Sequence, residues 1–218
     1  MSLTSFASPF AIADWRAVAQ EQRRYEYVFK PATLIAIIIG TWTLTQGTHD
    51  GWLASWFLLG LLGSLLGDIF LMLPNHRFFL HGLIAFLLAH VAYIIGLNPT
   101  LPPLPSLVLV SIIVLIATPI AYQLVIGLRS QHQSSLIAPV ILYMLVISVM
   151  LFSAYATWFR VEWTTLRVML VSVGATLFYI SDATLGWNQF VKPFASARVI
   201  VMVTYHLAQL ALALAIAT

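Results

Sequence analysis

Residues 51–73 have the sequence GWLASWFLLGLLGSLLGDIFLML, in which Asp68 is the one charged residue. A run of about 20 apolar residues is long enough to cross the hydrocarbon core of a bilayer as a helix. A carboxylate inside the membrane costs about 2.5–3.5 kcal/mol on insertion scales, so it needs a partner or a function. The segment therefore predicts a transmembrane helix that carries a buried acidic group.

The composition of the whole chain agrees with this prediction. Of the 218 residues, 61% are hydrophobic and 8% are charged, and the mean hydropathy is +0.96. A soluble domain has about 25% charged residues, so this chain has too few polar side chains to cover a water-facing surface. These values exclude a soluble enzyme, a disordered protein and a nucleic-acid-binding domain. The chain has no Cys, which excludes disulfides and thiolate metal sites.

Apolar stretches along the chain predict an all-α, polytopic membrane bundle of about seven transmembrane helices. They lie at 31–46, 51–73, 79–97, 104–128, 136–159, 164–185 and 197–217. Residues 1–30 are predicted to be an amphipathic segment whose helix, starting at Ser8-Pro9, lies on the membrane surface. We expect residues 31–218 to form a single transmembrane domain. A bundle of eight spans is the alternative.

The basic residues predict the orientation of the bundle. Eight of the ten fall on one side of the predicted spans, namely Arg16, Arg23, Arg24, Lys30, Arg77, Arg129, Lys192 and Arg198. Arg160 and Arg167 fall on the other side. Because cytoplasmic loops are rich in Lys and Arg, the N-terminus is predicted to be cytoplasmic and the C-terminus outside. We expect an integral membrane protein, in the inner membrane if the source is bacterial.

A second acidic residue, Asp182, lies in the sixth span. This span and the Asp68 span both run towards the cytoplasmic side, and both Asp residues are predicted roughly 5–8 Å from that end. When two carboxyl groups approach each other, a state in which one holds a proton and the other is ionised is favoured. The pair therefore predicts an acid/base site, with two unrelated, hydrogen-bonded Asp residues as the alternative.

Other polar and small residues in the spans could support such a site. Gly63 and Gly67 form a GxxxG pattern that lets a second helix approach the Asp68 helix closely. Candidates to orient a substrate or water are His90, Tyr93, Tyr143, Tyr205, His206 and Gln209. The His and Asp residues could together hold zinc, but they lack a specific ligand spacing. We therefore expect no metal and no other cofactor, with zinc as the alternative.

Four motifs occur in order on the predicted helices. Residues 66–72, LGDIFLM, resemble the GD-x-x-L-M signature of the YhhN/lysoplasmalogenase family. Residues 82–93 are similar to its G-x-x-x-F-x-x-x-H-x-x-Y helix, 178–182 to its SD motif, and 202–209 to its M-x-x-Y-x-x-x-Q helix. With Lys30-Pro31, the resemblance covers about residues 28–217. The family usually has eight spans, and the N-terminal segment replaces the first of them here.

The resemblance implies hydrolysis of the vinyl ether bond of lysoplasmalogens, which releases a fatty aldehyde and glycerophosphoethanolamine or glycerophosphocholine. Asp68 and Asp182 are then the catalytic acid and base, in either order. The residues expected to bind or orient the substrate are His90, Tyr93, Tyr205, Gln209, Tyr179, Ser181, His206, Lys30, Arg77 and Lys192. The expected partners are the lysophospholipid, water and membrane lipids, with no nucleic acid and no protein partner.

A transporter for small solutes or lipids is the alternative function. The second and sixth spans run in the same direction, and each carries an Asp near its inner end, as parallel internal repeats would. The Pro-Gln dipeptide typical of small sugar carriers with such repeats does not occur in the chain. The hydrolase is the favoured interpretation, with the headgroup at the cytoplasmic leaflet and the loops 74–78 and 186–197 around the mouth of the site.

Overall fold

The computed structural model describes residues 3–46, 50–73 and 77–218, and these residues form eight α-helices joined by short connections. The helices are α1 (Leu3–Ala19), α2 (Arg23–Thr45), α3 (Gly51–Met72), α4 (Arg77–Leu97), α5 (Val108–Ser130), α6 (Ile137–Ala156), α7 (Thr165–Gly186) and α8 (Ala197–Leu214). Among the described residues, seven segments that contain α2 to α8 are long and apolar enough to cross a membrane. The predicted all-α polytopic bundle is therefore confirmed.

Six of the seven predicted spans agree with the helices to within a few residues, but the first begins earlier than predicted. α2 starts at Arg23, and Pro31 lies inside it. Proline fits the first turn of a helix, so a helix that begins at about Pro31 would also agree with the sequence. Membrane helices tolerate it further inside because neighbouring groups satisfy the freed carbonyl. The predicted boundary between residues 30 and 31 therefore lies within α2, and Lys30 is part of the bundle.

The N-terminal helix also differs from the prediction of a surface helix. α1 begins at Leu3, before the predicted start at Ser8-Pro9, and the chain reverses after α1, where Glu21 has φ 56°. α2 then runs back alongside α1, so that the side chain of Leu3 fills the space beside Gly40, in the last two turns of α2. α1 thus lies alongside a transmembrane helix and not flat on the membrane surface.

The sequence of α1 explains why it joins the bundle. Its buried residues fall on one helical face, namely Leu3, Ala7, Ala11, Asp14, Ala17 and Val18. Three of these side chains are small, which allows close packing of α1 against α2 and α8. With 17 residues, α1 is shorter than each of the seven candidate spans. α1 is therefore an eighth helix of the bundle that is not among the seven candidate spans, and eight spans remain the alternative.

Close packing of α3 on α4 sets the direction in which Asp68 points. A Cβ atom on Gly67 would lie 2.5 Å from the ring of Phe86, and one on Gly63 would lie 3.1 Å from the Cβ of Ala89. The GxxxG contact is thus confirmed, with α4 as the second helix. Because this contact fixes the rotation of α3, Asp68 points into the bundle and is 1% exposed.

The bundle has two chemically different ends. The starts of α2, α4, α6 and α8 and the ends of α3, α5 and α7 meet at one end, which the basic residues predict to be cytoplasmic; we call it the basic end. At the opposite end, Arg160 donates a hydrogen bond to Thr100 at 2.6 Å, and Arg167 pairs with Asp50 at 3.0 Å. Both outer arginines therefore have partners within the chain.

We predict that Gly127→Ala destabilises the fold. Gly127 lies where α5 meets the π-helical turn Trp187–Val191, and a Cβ atom there would be 2.0 Å from the carbonyl oxygen of Phe190. A backbone atom cannot move without shifting its helix, so we expect a loss of about 1–3 kcal/mol of stability. Thermal denaturation in detergent measures it. Gly51→Ala, whose Cβ would meet nothing within 4 Å, is the control, and equal denaturation temperatures for the two variants would contradict this contact.

Candidate active site

A cavity of about 900 Å³ opens at the basic end of the bundle. Its walls come from the first turns of α2 and α8, the last turns of α3 and α7, and the segments 132–136 and 187–190. Asp68 and Asp182 both line it, so we call it the Asp cavity. Each Asp lies four residues before the end of its helix, at Met72 and Gly186, or roughly 6 Å along the axis. The predicted equal depth is therefore observed.

Asp68 is held by a cation and a hydroxyl group. The Nζ of Lys30 lies 2.9 Å from Oδ1 of Asp68, and the hydroxyl of Tyr205 donates to Oδ2 at 2.8 Å. Lys30 and Asp68 are 5% and 1% exposed. A carboxylate removed from water needs an opposite charge and hydrogen bonds to offset its lost hydration. This environment therefore stabilises Asp68 in its ionised form.

Asp182 has a different environment. The hydroxyl of Tyr143 donates a hydrogen bond to Oδ2 of Asp182, and Nε2 of His90 lies 3.7 Å from the same oxygen. The Nδ1 of His90 is 2.6 Å from the carbonyl oxygen of Phe86. Because a carbonyl can only accept, Nδ1 carries a hydrogen, and in a neutral ring Nε2 is then an acceptor. The lone pair of Nε2 and the oxygen of Asp182 thus face each other, an arrangement that suits a proton on one of them.

Three further candidates lie around this pair in different ways. Ser181 lines the Asp cavity, and its hydroxyl donates to the carbonyl of Val201 at 3.1 Å. Tyr93 and Gln209 are buried and bond to each other at 2.7 Å, which joins α4 to α8. Neither of these two is among the described residues that line the cavity. Tyr93 and Gln209 therefore connect two helices of the site without being part of the described cavity lining.

Two candidates point away from the Asp cavity. His206 accepts a hydrogen bond at Nδ1 from the indole N–H of Trp15, at 3.1 Å, and its Nε2 lies 4.0 Å from Asp14. It follows Tyr205 directly, and consecutive helical residues point about 100° apart, so the two side chains face different neighbours. Tyr179 is buried in α7 and is not among the described residues that line the cavity. Neither side chain is thus among the described residues that line the cavity, and a role for them in orienting the substrate stays a prediction.

The basic residues around the mouth differ from those expected. Lys192 is exposed, and it is not among the described residues lining the Asp cavity. Arg77 starts α4, but its side chain, like the loop 74–76, lies outside the described residues. Arg23 and Arg198 line the cavity instead. The helical spacing of Arg23 and Lys30 could have revealed this face, had α2 been predicted to begin before Pro31.

The described part of the chain offers no ready site for zinc. Within residues 3–46, 50–73 and 77–218, no group of three or more potential His, Asp or Glu ligands is placed to hold a metal ion. His90 faces Asp182 and His206 faces Asp14, so the two histidines belong to different clusters. The zinc alternative therefore has no ligand set among these residues.

The fold and the cavity together indicate the class to which this protein belongs. Seven apolar helices among the described residues, with two carboxyl groups lining a cavity at one end of the bundle, describe a polytopic integral membrane protein with an internal polar site. The sequence model of the YhhN family matches residues 25–216. The chain belongs to the YhhN family.

Several relatives carry the same functional name. Lysoplasmalogenase TMEM86B of Sus scrofa is 36% identical over 159 residues, which are 72% of this chain and 61% of that protein. The Mus musculus protein of the same name is 28% identical over 190 residues, 86% of this chain and 73% of that protein. Human lysoplasmalogenase TMEM86A is 31% identical over 170 residues, 74% of this chain and 65% of that protein. The chain thus matches less than two thirds of the pig and human relatives. No solved structure matches it significantly.

We predict that Lys30→Met destabilises the protein strongly, because it leaves the Asp68 carboxylate buried without its cation. Breaking one partner of a buried pair typically costs about 3–5 kcal/mol. The double variant Lys30→Met, Asp68→Asn should recover most of this loss, since no uncompensated charge remains. Denaturation in detergent measures all three proteins. Lys192→Met, at the exposed lysine, is the control, and a Lys30→Met protein as stable as this control would disprove the buried pair.

Proposed function

We propose that this protein hydrolyses the vinyl ether bond of lysoplasmalogens in the membrane, releasing a fatty aldehyde and glycerophosphoethanolamine or glycerophosphocholine. The observation that carries the proposal is the presence of Asp68 and Asp182 in one cavity, near the depth at which a lysolipid holds its ether bond. The names of the relatives support the same substrate class. For a bacterial source, we propose the inner membrane as the location.

The chemistry of this substrate requires an acid and an anion. Hydrolysis begins with transfer of a proton to the alkenyl carbon one bond removed from the ether-bearing carbon, which leaves an oxocarbenium ion. Water then adds to the carbon bearing the oxygen, and the resulting hemiacetal separates into the aldehyde and the glycerol hydroxyl. One water is consumed, and the acid regains its proton from the hemiacetal hydroxyl when the hemiacetal separates. A carboxyl group can supply the proton, and a carboxylate can stabilise the cation and accept the proton of water.

The two environments support a division of these roles. In our proposal Asp182 is the acid, because the group facing its Oδ2 is the lone pair of a neutral imidazole, that of His90, and not a cation. Asp68 is the carboxylate, because Lys30 and Tyr205 stabilise its charged form. Asp68 then stabilises the oxocarbenium ion and receives the proton from the attacking water. When the hemiacetal separates, Asp68 gives this proton to the departing glycerol oxygen and Asp182 takes the proton of the hemiacetal hydroxyl, so both groups return to their starting states.

The shape of the cavity supports a placement of the substrate. A smaller apolar pocket of about 50 Å³ adjoins the Asp cavity at Asp182, and its lining includes Leu83, Leu124, Val140 and Met144. In our proposal the first carbons of the alkenyl chain enter this pocket, and the headgroup lies towards the basic end. The ether-bearing carbon then lies between Asp182 and Asp68. We propose that the reaction uses no metal, because the carboxyl pair can supply both proton transfers.

The decisive experiment compares two lysolipids that differ in one bond. Purified protein is incubated with an alkenyl lysolipid and with the saturated alkyl-ether analogue, and aldehyde release is measured. We expect aldehyde from the alkenyl lipid alone, because the saturated ether offers no carbon to protonate. If neither lipid releases aldehyde while reconstituted vesicles move a lysolipid across the bilayer, the protein is a transporter and the proposal is wrong.

We predict that Asp182→Asn and Asp68→Asn each lower the turnover number by at least about 10², since each removes a proton donor or acceptor. Size-exclusion chromatography in detergent establishes that the variants are folded. For Asp68 the assay is repeated in the Lys30→Met, Asp68→Asn protein, which has no unpaired buried charge. Asp50→Asn, at the opposite end of the bundle, is the matched control and should retain activity. A variant of either Asp with near-wild-type turnover would remove that residue from the mechanism.

A further inference from the structure

We propose that Glu26 and Arg198 form a headgroup site that recognises zwitterionic lysophospholipids, with Arg198 binding the phosphate and Glu26 binding the ammonium group. The inference rests on the proposed function, because it assigns the headgroup end of the same substrate. Both residues line the Asp cavity. Their carboxylate and guanidinium groups are joined by an ion pair that links α2 to α8.

Spacing along α2 places this pair at a suitable distance from the catalytic carboxyl groups. Arg23, Glu26 and Lys30 stand at positions i, i+3 and i+7, on one helical face, and all three line the cavity. Lys30 contacts Asp68, and Glu26 lies one turn, or roughly 6 Å, nearer the basic end. The glycerol unit that separates an ether oxygen from the phosphate spans a comparable length. A lysolipid with its ether bond at Asp68 therefore has its headgroup at the level of Glu26.

α8 also carries cavity-lining polar residues at two depths. Arg198 lies seven residues, or two turns, before Tyr205, and both side chains line the cavity. The hydroxyl of Tyr205 contacts Asp68 at the deep end, while the guanidinium of Arg198 contacts Glu26 at the mouth. Each of the two helices thus places one polar side chain at the deep level and one at the shallow level. The deep level holds the reacting bond, and the shallow level holds the headgroup.

The paired groups keep the capacity to bind a ligand. The Arg198 side chain is 42% exposed, and the Glu26 side chain is 16% exposed. A guanidinium has five N–H donors, and a carboxylate has two acceptor oxygens, so the bond between them leaves donors for a phosphate and an oxygen for an ammonium group. Arg23 adds a second cation at the mouth. Opposite charges held in register discriminate between ligands by their charge pattern.

The ion pair joins α2 to α8, but it also stands at the mouth of the cavity, where the carboxylate of Glu26 meets any ligand that enters. A cavity that bound phosphate alone would bind it more tightly without the carboxylate of Glu26. The carboxylate therefore matches a headgroup that also carries a positive charge, such as phosphoethanolamine. A phosphoglycerol headgroup, which has a phosphate but no ammonium group, would lack a partner for Glu26.

A binding experiment tests this site without depending on hydrolysis. Saturated alkyl-ether lysolipids with phosphoethanolamine or phosphoglycerol headgroups are titrated into the purified protein in detergent, and dissociation constants are measured by calorimetry. We expect the wild-type protein to bind the phosphoethanolamine lipid about tenfold more tightly. Glu26→Gln should remove this preference by weakening the phosphoethanolamine complex and tightening the phosphoglycerol complex. Arg198→Gln should weaken both complexes about tenfold, and Arg129→Gln, exposed at the end of α5, should change neither.

Two results would overturn the inference. One is equal affinity of the wild-type protein for the two headgroups. The other is a Glu26→Gln variant that binds both lipids more weakly by the same factor, because that is the behaviour of a purely structural ion pair. Aldehyde release from an alkenyl lysolipid tests the proposed function separately. Hydrolysis without any headgroup preference would leave that function in place and would reject the headgroup site.

Discussion

The buried ion pair between Lys30 and Asp68 is the interaction on which the rest of the structure depends. It requires α2 to extend to the basic end, so that Lys30 stands inside the bundle. It also requires α3 to be rotated by its glycine contact with α4, because otherwise Asp68 would face lipid. The same pair gives the carboxyl groups of Asp68 and Asp182 different electrostatic environments, because Lys30 contacts Asp68. One contact therefore depends on the packing of α2 and α3 and also determines the charge environment of the site.

Much of the fold follows from hydropathy, which depends on composition within a window and not on tertiary contacts. Six spans and the equal depth of Asp68 and Asp182 were predictable for this reason. The glycine face was predictable because GxxxG has a direct steric meaning. The position of α1 in the bundle was not predictable, because its buried face contains alanines and Asp14 and lacks a long apolar run. Its place in the bundle comes from packing on α2 and α8.

The side-chain partners in the site were less accessible to sequence reasoning. Both Asp residues were found because a charge in an apolar span is conspicuous, and Tyr205 was found by its motif. Lys30 was predicted to lie outside the first span, because the apolar stretch begins at residue 31. His206 was placed near the pair, although it points to Trp15. These outcomes depend on where helices begin and how they are rotated, which a single sequence determines only through its tertiary contacts.

The central claim is that Asp68 is ionised and Asp182 is protonated before substrate binds. Infrared spectroscopy of the folded protein at neutral pH tests it directly, because a protonated carboxyl group has a carbonyl stretch that a carboxylate lacks. Asp14 is also fully buried, so the measurement is made in an Asp14→Asn background. We predict a protonated carboxyl band that persists in Asp68→Asn and disappears in Asp182→Asn. A band that persists in Asp182→Asn and disappears in Asp68→Asn would contradict the account.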